Sequence, residues 1–148
     1  IGEGSPSKFD ADLRALGLSE RIRFLGHRDD MPACFAALDI VVCASTKGEG
    51  LTGALREALA VARPVISTDV SGNREIVIAN ETGLLVPPAN SEAIAEAMLT
   101  LLRQPELGAR LGKRGCELIA ERFDNRKRVE KIENLYLTIL GEKAARNA

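Results

Sequence analysis

Short apolar runs with the composition of β-strands alternate with helical patterns along this chain, and this alternation constrains its fold most strongly. Four runs predict strands: residues 22–25, 40–43, 64–67 and 83–86. Helical patterns precede and separate them: residues 7–16, 29–38 and 51–62, with a short turn near residues 73–77. Strands that alternate with helices at this spacing predict an α/β fold, in which a parallel sheet carries helices on both faces.

Two further expectations follow from the same patterns. Residues 40–43 are apolar at every position, which is typical of the central strand of a parallel sheet. The end of the chain is predicted to be entirely helical, with three helices at residues 91–103, 106–122 and 125–140. Ser91 with Glu92 provides a helix start signal, and Pro105 separates the first two of these helices.

Composition excludes several classes of function. The 148 residues suffice for one domain with its own core. A net charge of −1 and an aromatic content of 3% provide neither a basic surface nor stacking side chains, so we expect no nucleic-acid partner. His27 is the only histidine and the three cysteines form no C-x-x-C pair, so we expect neither a metal site nor a disulfide framework.

The location of the chain is predicted from the same features. Free cysteines indicate a reducing compartment, and hence a cytoplasmic location. The longest apolar stretch is interrupted by Pro32 and Asp39, so it does not predict a membrane helix. The chain opens on IGEGS without a Met or a signal peptide, and we therefore expect it to begin within a longer protein.

The loop and helix at residues 44–62 hold the strongest local signal for a binding site. In a parallel sheet, ligands bind beyond the carboxyl ends of the strands, and this loop leaves the second predicted strand. One stripe of the helix is apolar and predicts core: Leu51, Ala54, Leu55, Ala58, Leu59 and Ala62. Glu57 lies off that stripe, on the same flank as Gly50 and Gly53.

Two interpretations of this flank remain open from the residues alone. The N–H groups of a helix start suit a phosphate, and a carboxylate one or two turns further along suits the vicinal hydroxyls of a ribose. The pattern then predicts a site for a nucleoside diphosphate. Alternatively, the segment is a glycine-rich loop followed by a solvated glutamate.

Several segments together resemble the signature region of the family 4 (group 1) retaining glycosyltransferases. They are EGLTGALREALA, ARPVISTDVSGNREIV and NETGLLVPP, preceded by IGEGS and by RIRFLGHRDDMPACFAALDIVVCAS. The resemblance covers about residues 1–125 with the motifs in the family's order. The two acids of the family's E-x7-E element fall on Glu49 and Glu57.

The resemblance implies a GT-B enzyme built from two Rossmann-like domains. Residues 1–148 would be most of its C-terminal, donor-binding domain, truncated at the N-terminal side, and the helix at 125–140 would cross to the missing N-terminal domain. The donor would be a nucleotide-diphosphate sugar, with no further cofactor, and the sugar would pass with retained configuration to an unknown acceptor. The fragment alone is expected to be inactive, and the full-length protein could contact a membrane peripherally.

The resemblance also implies roles for individual residues. Glu49, the residue assigned to catalysis, would contact the sugar hydroxyls of the donor. Backbone N–H groups at Gly50, Leu51 and Thr52 would bind the diphosphate or the sugar, and Glu57 would bind the ribose hydroxyls. Gly26, His27 and Arg28 would line the base pocket.

Three positions depart from the family's pattern where it commonly has glycine. Thr52 would keep its N–H group and could add a phosphate contact through its hydroxyl. Ala62 is interpreted as a packing change, and Asn73 as a residue that tolerates positive φ. The family's phosphate-binding Arg and Lys have no counterpart in the chain, and Lys47 is the one basic residue of the loop that could replace them.

Two alternative functions are compatible with the same fold. One is a GT-B epimerase or phosphorylase domain, which would bind a related ligand but perform another reaction. The other is a non-enzymatic α/β module that only binds a nucleotide.

Overall fold

A parallel sheet with helices on either side forms the centre of the described part of the chain. The computed structural model describes residues 6–47 and 52–146. Strands β1 to β3 span Val41–Cys43, Val65–Thr68 and Leu84–Val86. Helices α1 to α6 span Asp10–Ala15, Met31–Ala36, Gly53–Ala60, Ser91–Arg103, Pro105–Arg122 and Asn125–Arg146. Short 3-10 turns span Pro6–Phe9 and Asn73–Glu75.

β2 is the middle strand of the sheet in the order β1-β2-β3, and both pairings are parallel. All four of its residues are buried. The prediction that residues 40–43 form the central strand is wrong for the described part of the chain. There, β1 pairs with β2 on one side only, and its middle residue Val42 is 37% exposed.

Each face of β2 has its own hydrophobic core, because successive residues of a strand point to opposite faces. Val65 packs with Leu55 and Leu59 of α3 in one core. Ile66 packs in the other with Ala97 and Leu101 of α4. A fully buried leucine stabilises a fold by about 1.5–3 kcal/mol, so both helices are held firmly on the sheet. The predicted α/β fold with helices on both faces is confirmed.

Residues 22–25, which are predicted to form a strand, lie outside the sheet. No strand in the described ranges lies beside them, and Ile22, Phe24 and Leu25 are exposed. The ring of Phe24 stacks on that of Phe9, with centroids 5.9 Å apart and planes inclined by 15°. Residue preference alone does not make a strand, because its N–H and C=O groups need a neighbouring strand.

The predicted C-terminal helices are present, with small shifts at their ends. α4 has the predicted bounds, α5 begins one residue early at Pro105, and α6 continues to Arg146. Asn90, and not Ser91, caps α4: its side-chain oxygen accepts a hydrogen bond from the N–H of Ala93 at 2.9 Å. Among the described helices, none combines the length and the apolar character that crossing a membrane requires.

A turn at Ala62 ends α3 two residues before its predicted end. Ala62 has a φ of 56°, in the left-handed region that disfavours any residue with a side chain. The turn also brings the carbonyl of Ala62 against α5, where a Cβ at Gly112 would lie 2.2 Å from the carbonyl oxygen. The interpretation of Ala62 as a packing change is therefore wrong. The side chain of Ala62 is exposed. An alanine in place of glycine therefore costs free energy through its backbone conformation and not through packing.

Candidate functional site

The start of α3 lies at the carboxyl edge of the sheet, where the ligand site was predicted. β1 ends at Cys43, and α3 begins at Gly53 after Thr52. Glu49, Gly50 and Leu51 lie outside the described residues, so their predicted roles stay predictions. The side chain of Thr52 makes no cap hydrogen bond to the helix. The first N–H groups of a helix have no intrahelical acceptor, and here they keep their capacity to donate to an anion.

The carboxylate of Glu57 lies on the exposed flank of α3, as predicted. A Cβ at Gly53 would be 3.9 Å from the Oε1 of Glu57, so the absence of a side chain at Gly53 leaves the carboxylate accessible from the helix start. The opposite side of the helix buries Leu55, Ala58 and Leu59 completely. This core stripe is narrower than predicted, because Ala54 and Ala62 are exposed. The role of Glu57 in ligand binding stays a prediction.

A network of buried and half-buried polar side chains connects the start of α3 to the end of β2 and to the loop after β1. The hydroxyl of Thr52 donates to the Oδ1 of Asn73 at 2.7 Å. The Nδ2 of Asn73 donates to the Oγ of Ser67 at 2.8 Å and to the carbonyl of Thr68 at 3.2 Å. The hydroxyl of Thr68 donates to the carbonyl of Ser45 at 2.7 Å.

This network corrects two interpretations of the sequence. The single hydroxyl proton of Thr52 is directed at Asn73, so the hydroxyl does not offer that proton to a phosphate. Asn73 does not adopt positive φ: that conformation belongs to Gly72, with a φ of 88°. Asn73 is completely buried, and its function is hydrogen bonding.

The segment predicted as a base pocket is organised by two acidic residues. Gly26 has a φ of 63°, which favours glycine. The Nε2 of His27 lies 3.2 Å from the Oδ1 of Asp29, and both side chains are exposed. Arg28 donates twice to Asp30, from Nε at 2.7 Å and from Nη2 at 2.5 Å.

The Arg28–Asp30 pair perturbs both side chains. The hydrogen bond raises the pKa of Arg28 and lowers the pKa of the Asp30 carboxyl. Asp30 also accepts a hydrogen bond from the thiol of Cys34 at 3.5 Å. The hydrogen bonds and ion pairs described for His27 and Arg28 all go to this segment and to none of the residues of α3. The structure therefore gives these residues fixed local partners, and their role as a base pocket stays a prediction.

The loop after β2 is held by an ion pair and not by Glu75. The side chain of Glu75 is exposed and makes no hydrogen bond to the described residues. An ion pair between Arg74 and Asp69 bridges the loop, with Nη2 of Arg74 donating to Oδ2 of Asp69 at 2.9 Å. Lys47 is exposed, and its proposed substitution for the family's phosphate-binding cations stays a prediction.

A cavity of about 510 Å³ lies away from this site. Its walls include Ile40, Pro64 and Leu101, so it opens at the amino ends of β1 and β2. Ligands of parallel sheets bind at the opposite edge, and the cavity is therefore separate from the predicted site.

Comparison with known sequences identifies the family of this chain. The sequence model described as "Glycosyl transferases group 1" matches residues 1–104. The phosphatidyl-myo-inositol mannosyltransferase of Mycobacterium leprae (strain TN) is 33% identical over 141 residues, which cover 94% of this chain and 37% of that protein. The N-acetyl-alpha-D-glucosaminyl L-malate synthase of Bacillus anthracis is 30% identical over 128 residues, covering 86% of this chain and 33% of that protein. The chain thus spans roughly a third of the length of these relatives.

Solved structures of similar fold agree with this result. Anabaena HepE in complex with UDP-glucose superposes with a TM-score of 0.80 at 27% identity, covering 86% of this chain and 36% of that one. The C-terminal domain of a group 1 family glycosyl transferase from Francisella tularensis has a TM-score of 0.73 at 30% identity. The match covers 84% of this chain and 68% of that one. These comparisons do not favour the epimerase or phosphorylase alternative. The match of the family over residues 1–104 and the similarity to solved GT-B structures together show that this chain belongs to the group 1 glycosyl transferases.

Proposed function

We propose that this chain binds the nucleoside-diphosphate part of a sugar donor at the start of α3, as the donor-binding domain of a retaining glycosyltransferase. The observation that carries the proposal is the Glu57 carboxylate beside the bare flank at Gly53, next to a helix start that Thr52 does not cap. The complex of Anabaena HepE with UDP-glucose supports it, because that protein shares the fold of this chain.

In the proposed site, three sets of protein groups bind three parts of the donor. Backbone N–H groups at Gly50, Leu51 and Thr52 receive the diphosphate, and Glu57 accepts hydrogen bonds from the ribose hydroxyls. Glu49, the first acid of the E-x7-E motif, binds the hydroxyls of the transferred sugar. The leaving diphosphate gains negative charge as the glycosidic bond breaks, and N–H groups directed at that charge lower the barrier. No protein nucleophile is required in this scheme.

A base pocket formed by Gly26, His27 and Arg28 completes the proposed donor site. The contact of Arg28 with Asp30 orients its guanidinium, which presents a planar surface. Such a surface suits contact with a nucleobase, and the pocket is therefore expected to be ordered before the nucleotide binds.

The acceptor is proposed to bind between this domain and an N-terminal domain of the same protein. α6 supports this arrangement, because a series of its large apolar side chains is exposed: Val129, Ile132, Leu135, Tyr136, Ile139 and Leu140. An apolar face of this size is typical of a surface that packs against another domain. Peripheral membrane contact of the whole enzyme and a cytoplasmic location belong to the same proposal.

Nucleotide binding is the direct test. Thermal unfolding of the 148-residue chain is followed with UDP, GDP and ADP, because a ligand that binds only the folded state raises the unfolding temperature. One of the three should stabilise the chain, by about 2.7 kcal/mol at a concentration 100 times its dissociation constant. The matching nucleoside, which lacks phosphates, should stabilise it much less. Stabilisation by none of the three nucleotides contradicts the proposal.

A second experiment tests the need for the other domain. The chain of residues 1–148 is expected to transfer no sugar, because no acceptor pocket and no diphosphate-binding cation pair is identified in its sequence. Transfer and donor hydrolysis are measured for this chain and for the complete protein. Equal turnover by the 148-residue chain and the complete protein would show that the acceptor-binding site lies within these 148 residues.

A further inference from the structure

We infer that Asn73 is a positioning residue, which acts through Thr52 to hold the start of α3 ready for the donor's diphosphate. The inference rests on the proposed function, because it concerns the same helix start. Asn73 is not expected to touch the ligand. It is completely buried, and its contacts run to the backbone and side chains behind the site.

The side chain of Asn73 satisfies three partners at once. Its Oδ1 accepts from the hydroxyl of Thr52 at 2.7 Å, and its Nδ2 donates to Ser67 at 2.8 Å and to the carbonyl of Thr68 at 3.2 Å. A buried amide that makes all of these bonds has one orientation, because any rotation would leave a polar group unpaired at a cost of about 1–3 kcal/mol. Asn73 is therefore a rigid anchor point.

The anchor joins the residue before α3 to the end of β2 and to the turn after it, at the carboxyl edge of the sheet. Thr52 precedes α3, Ser67 and Thr68 end β2, and Asn73 lies in the 3-10 turn after it. Thr68 extends the network to the other end of the connection between β1 and α3, since its hydroxyl donates to the carbonyl of Ser45 at 2.7 Å. Ser45 and Thr52, near the two ends of that connection, are thus both held to the residues that end or follow β2.

The direction of the Thr52 hydroxyl matters for the helix start. A threonine in this position normally accepts a hydrogen bond from the N–H two or three residues later and so caps its own helix. Here the hydroxyl is held by Asn73, and Thr52 makes no cap hydrogen bond. The first-turn N–H groups therefore stay directed at the ligand position, and an incoming diphosphate does not have to displace a cap.

The test compares variants that break the Thr52–Asn73 bond with a matched control. Thr52→Val keeps the β-branched shape and removes the hydroxyl, and Thr52→Ser keeps the hydroxyl. Thr82→Val is the control for a loss of stability, because Thr82 is also a threonine with a hydrogen-bonded hydroxyl and is completely buried. That hydroxyl accepts from the N–H of Ile78 and donates to the carbonyl of Ile76, both at 2.8 Å. The probe is whichever of UDP, GDP and ADP the wild-type chain binds, measured by calorimetry well below the unfolding temperature of each variant.

Thr52→Val should bind the nucleotide roughly three- to tenfold more weakly than the wild type, the scale of one hydrogen bond. Thr52→Ser should recover most of that loss. Thr82→Val should lose stability but keep its affinity. Asn73→Ala combined with Thr52→Val should bind no more weakly than Asn73→Ala alone, because both changes remove the same bond. If the Asn73 variants do not fold, the Thr52 and Thr82 variants decide the matter.

Two results overturn this inference alone, and a third overturns it together with the proposed function. Equal affinity of Thr52→Val and the wild type would show that the bond does not position the site. Equal losses of affinity in Thr52→Val and Thr82→Val would show a general effect of stability. If the wild-type chain binds none of the three nucleotides, the proposed function fails together with this inference. That result is obtained before any variant is measured, so the two failures are distinguishable.

Discussion

Glu57 and Gly53 lie next to each other on one flank of α3, where a Cβ at residue 53 would be only 3.9 Å from the Oε1 of Glu57. The carboxylate is thus reached from the helix start over a surface that has no side chain. The charge of the Glu57 carboxylate is not neutralised by a neighbouring cation, since Glu57 makes no salt bridge with the described residues. A glutamate so placed can accept hydrogen bonds from two adjacent hydroxyls of a ligand.

Glu57→Gln should weaken binding of the nucleoside diphosphate by about 1–3 kcal/mol, because hydrogen bonds to a charged acceptor are stronger than those to an amide. Titration calorimetry measures the change. Glu96→Gln provides a control on an exposed position of α4, on the other face of the sheet, and should leave the affinity unaltered. Equal affinities of Glu57→Gln and the wild type would remove Glu57 from the site.

Glu49→Ala should separate binding of the sugar from binding of the nucleotide. If Glu49 contacts sugar hydroxyls, the variant should lose about 1–3 kcal/mol of affinity for the nucleotide-sugar and much less for the nucleoside diphosphate. Both affinities are measured by calorimetry on the same protein preparation. Parallel losses for the two ligands would contradict this division of roles.

Ala62→Gly should stabilise the chain by about 1 kcal/mol, because Ala62 has a φ of 56° and glycine adopts this conformation without a steric cost. Urea unfolding measures the free energy. Ala95→Gly is the matched control: Ala95 is exposed within α4, and glycine there should destabilise by about 1 kcal/mol. A loss of stability in Ala62→Gly would show that the left-handed conformation is not strained.

Gly112→Ala should destabilise the chain by roughly 3 kcal/mol, because the added methyl group would lie 2.2 Å from the carbonyl oxygen of Ala62 and force α5 away from it. The same substitution at Gly141 meets no atom within 4 Å and should stabilise α6 slightly, since alanine is the better helix former. Unfolding free energies of both variants test the contrast, and similar values for the two would refute the close approach.

Periodicity was sufficient to predict most of the fold. The short apolar run that predicts β2 and the spacing of Leu55, Ala58 and Leu59 in α3 are local signals of burial, and the structure confirms both. Pairing of strands is not local. The run at residues 22–25 has strand composition and lies outside the sheet. Among the described strands, β1 lies at an edge, because strand order depends on which segments become neighbours.

The candidate site was predictable in its position and not in its internal connections. Glycines and a carboxylate at helical spacing indicated the helix start and Glu57, both of which the structure places together. Asn73 was interpreted from its backbone preference, whereas its importance lies in contacts 21 residues away at Thr52 and six residues away at Ser67. One signal did exist: Ser67 and Thr68 are polar residues at the end of a fully buried strand, and buried hydroxyls require partners.

The position of β2 between the two cores has a consequence for cooperativity. Val65 belongs to the core beneath α3, and Ile66 belongs to the core beneath α4. If either helix leaves the sheet, it exposes a residue of β2 whose direct neighbour in the strand belongs to the other core. The two layers should therefore lose their structure in a single transition, and not in two steps. The amide hydrogens of β2 should exchange with solvent only through that global opening, more slowly than those of α6, whose apolar side chains are already in water.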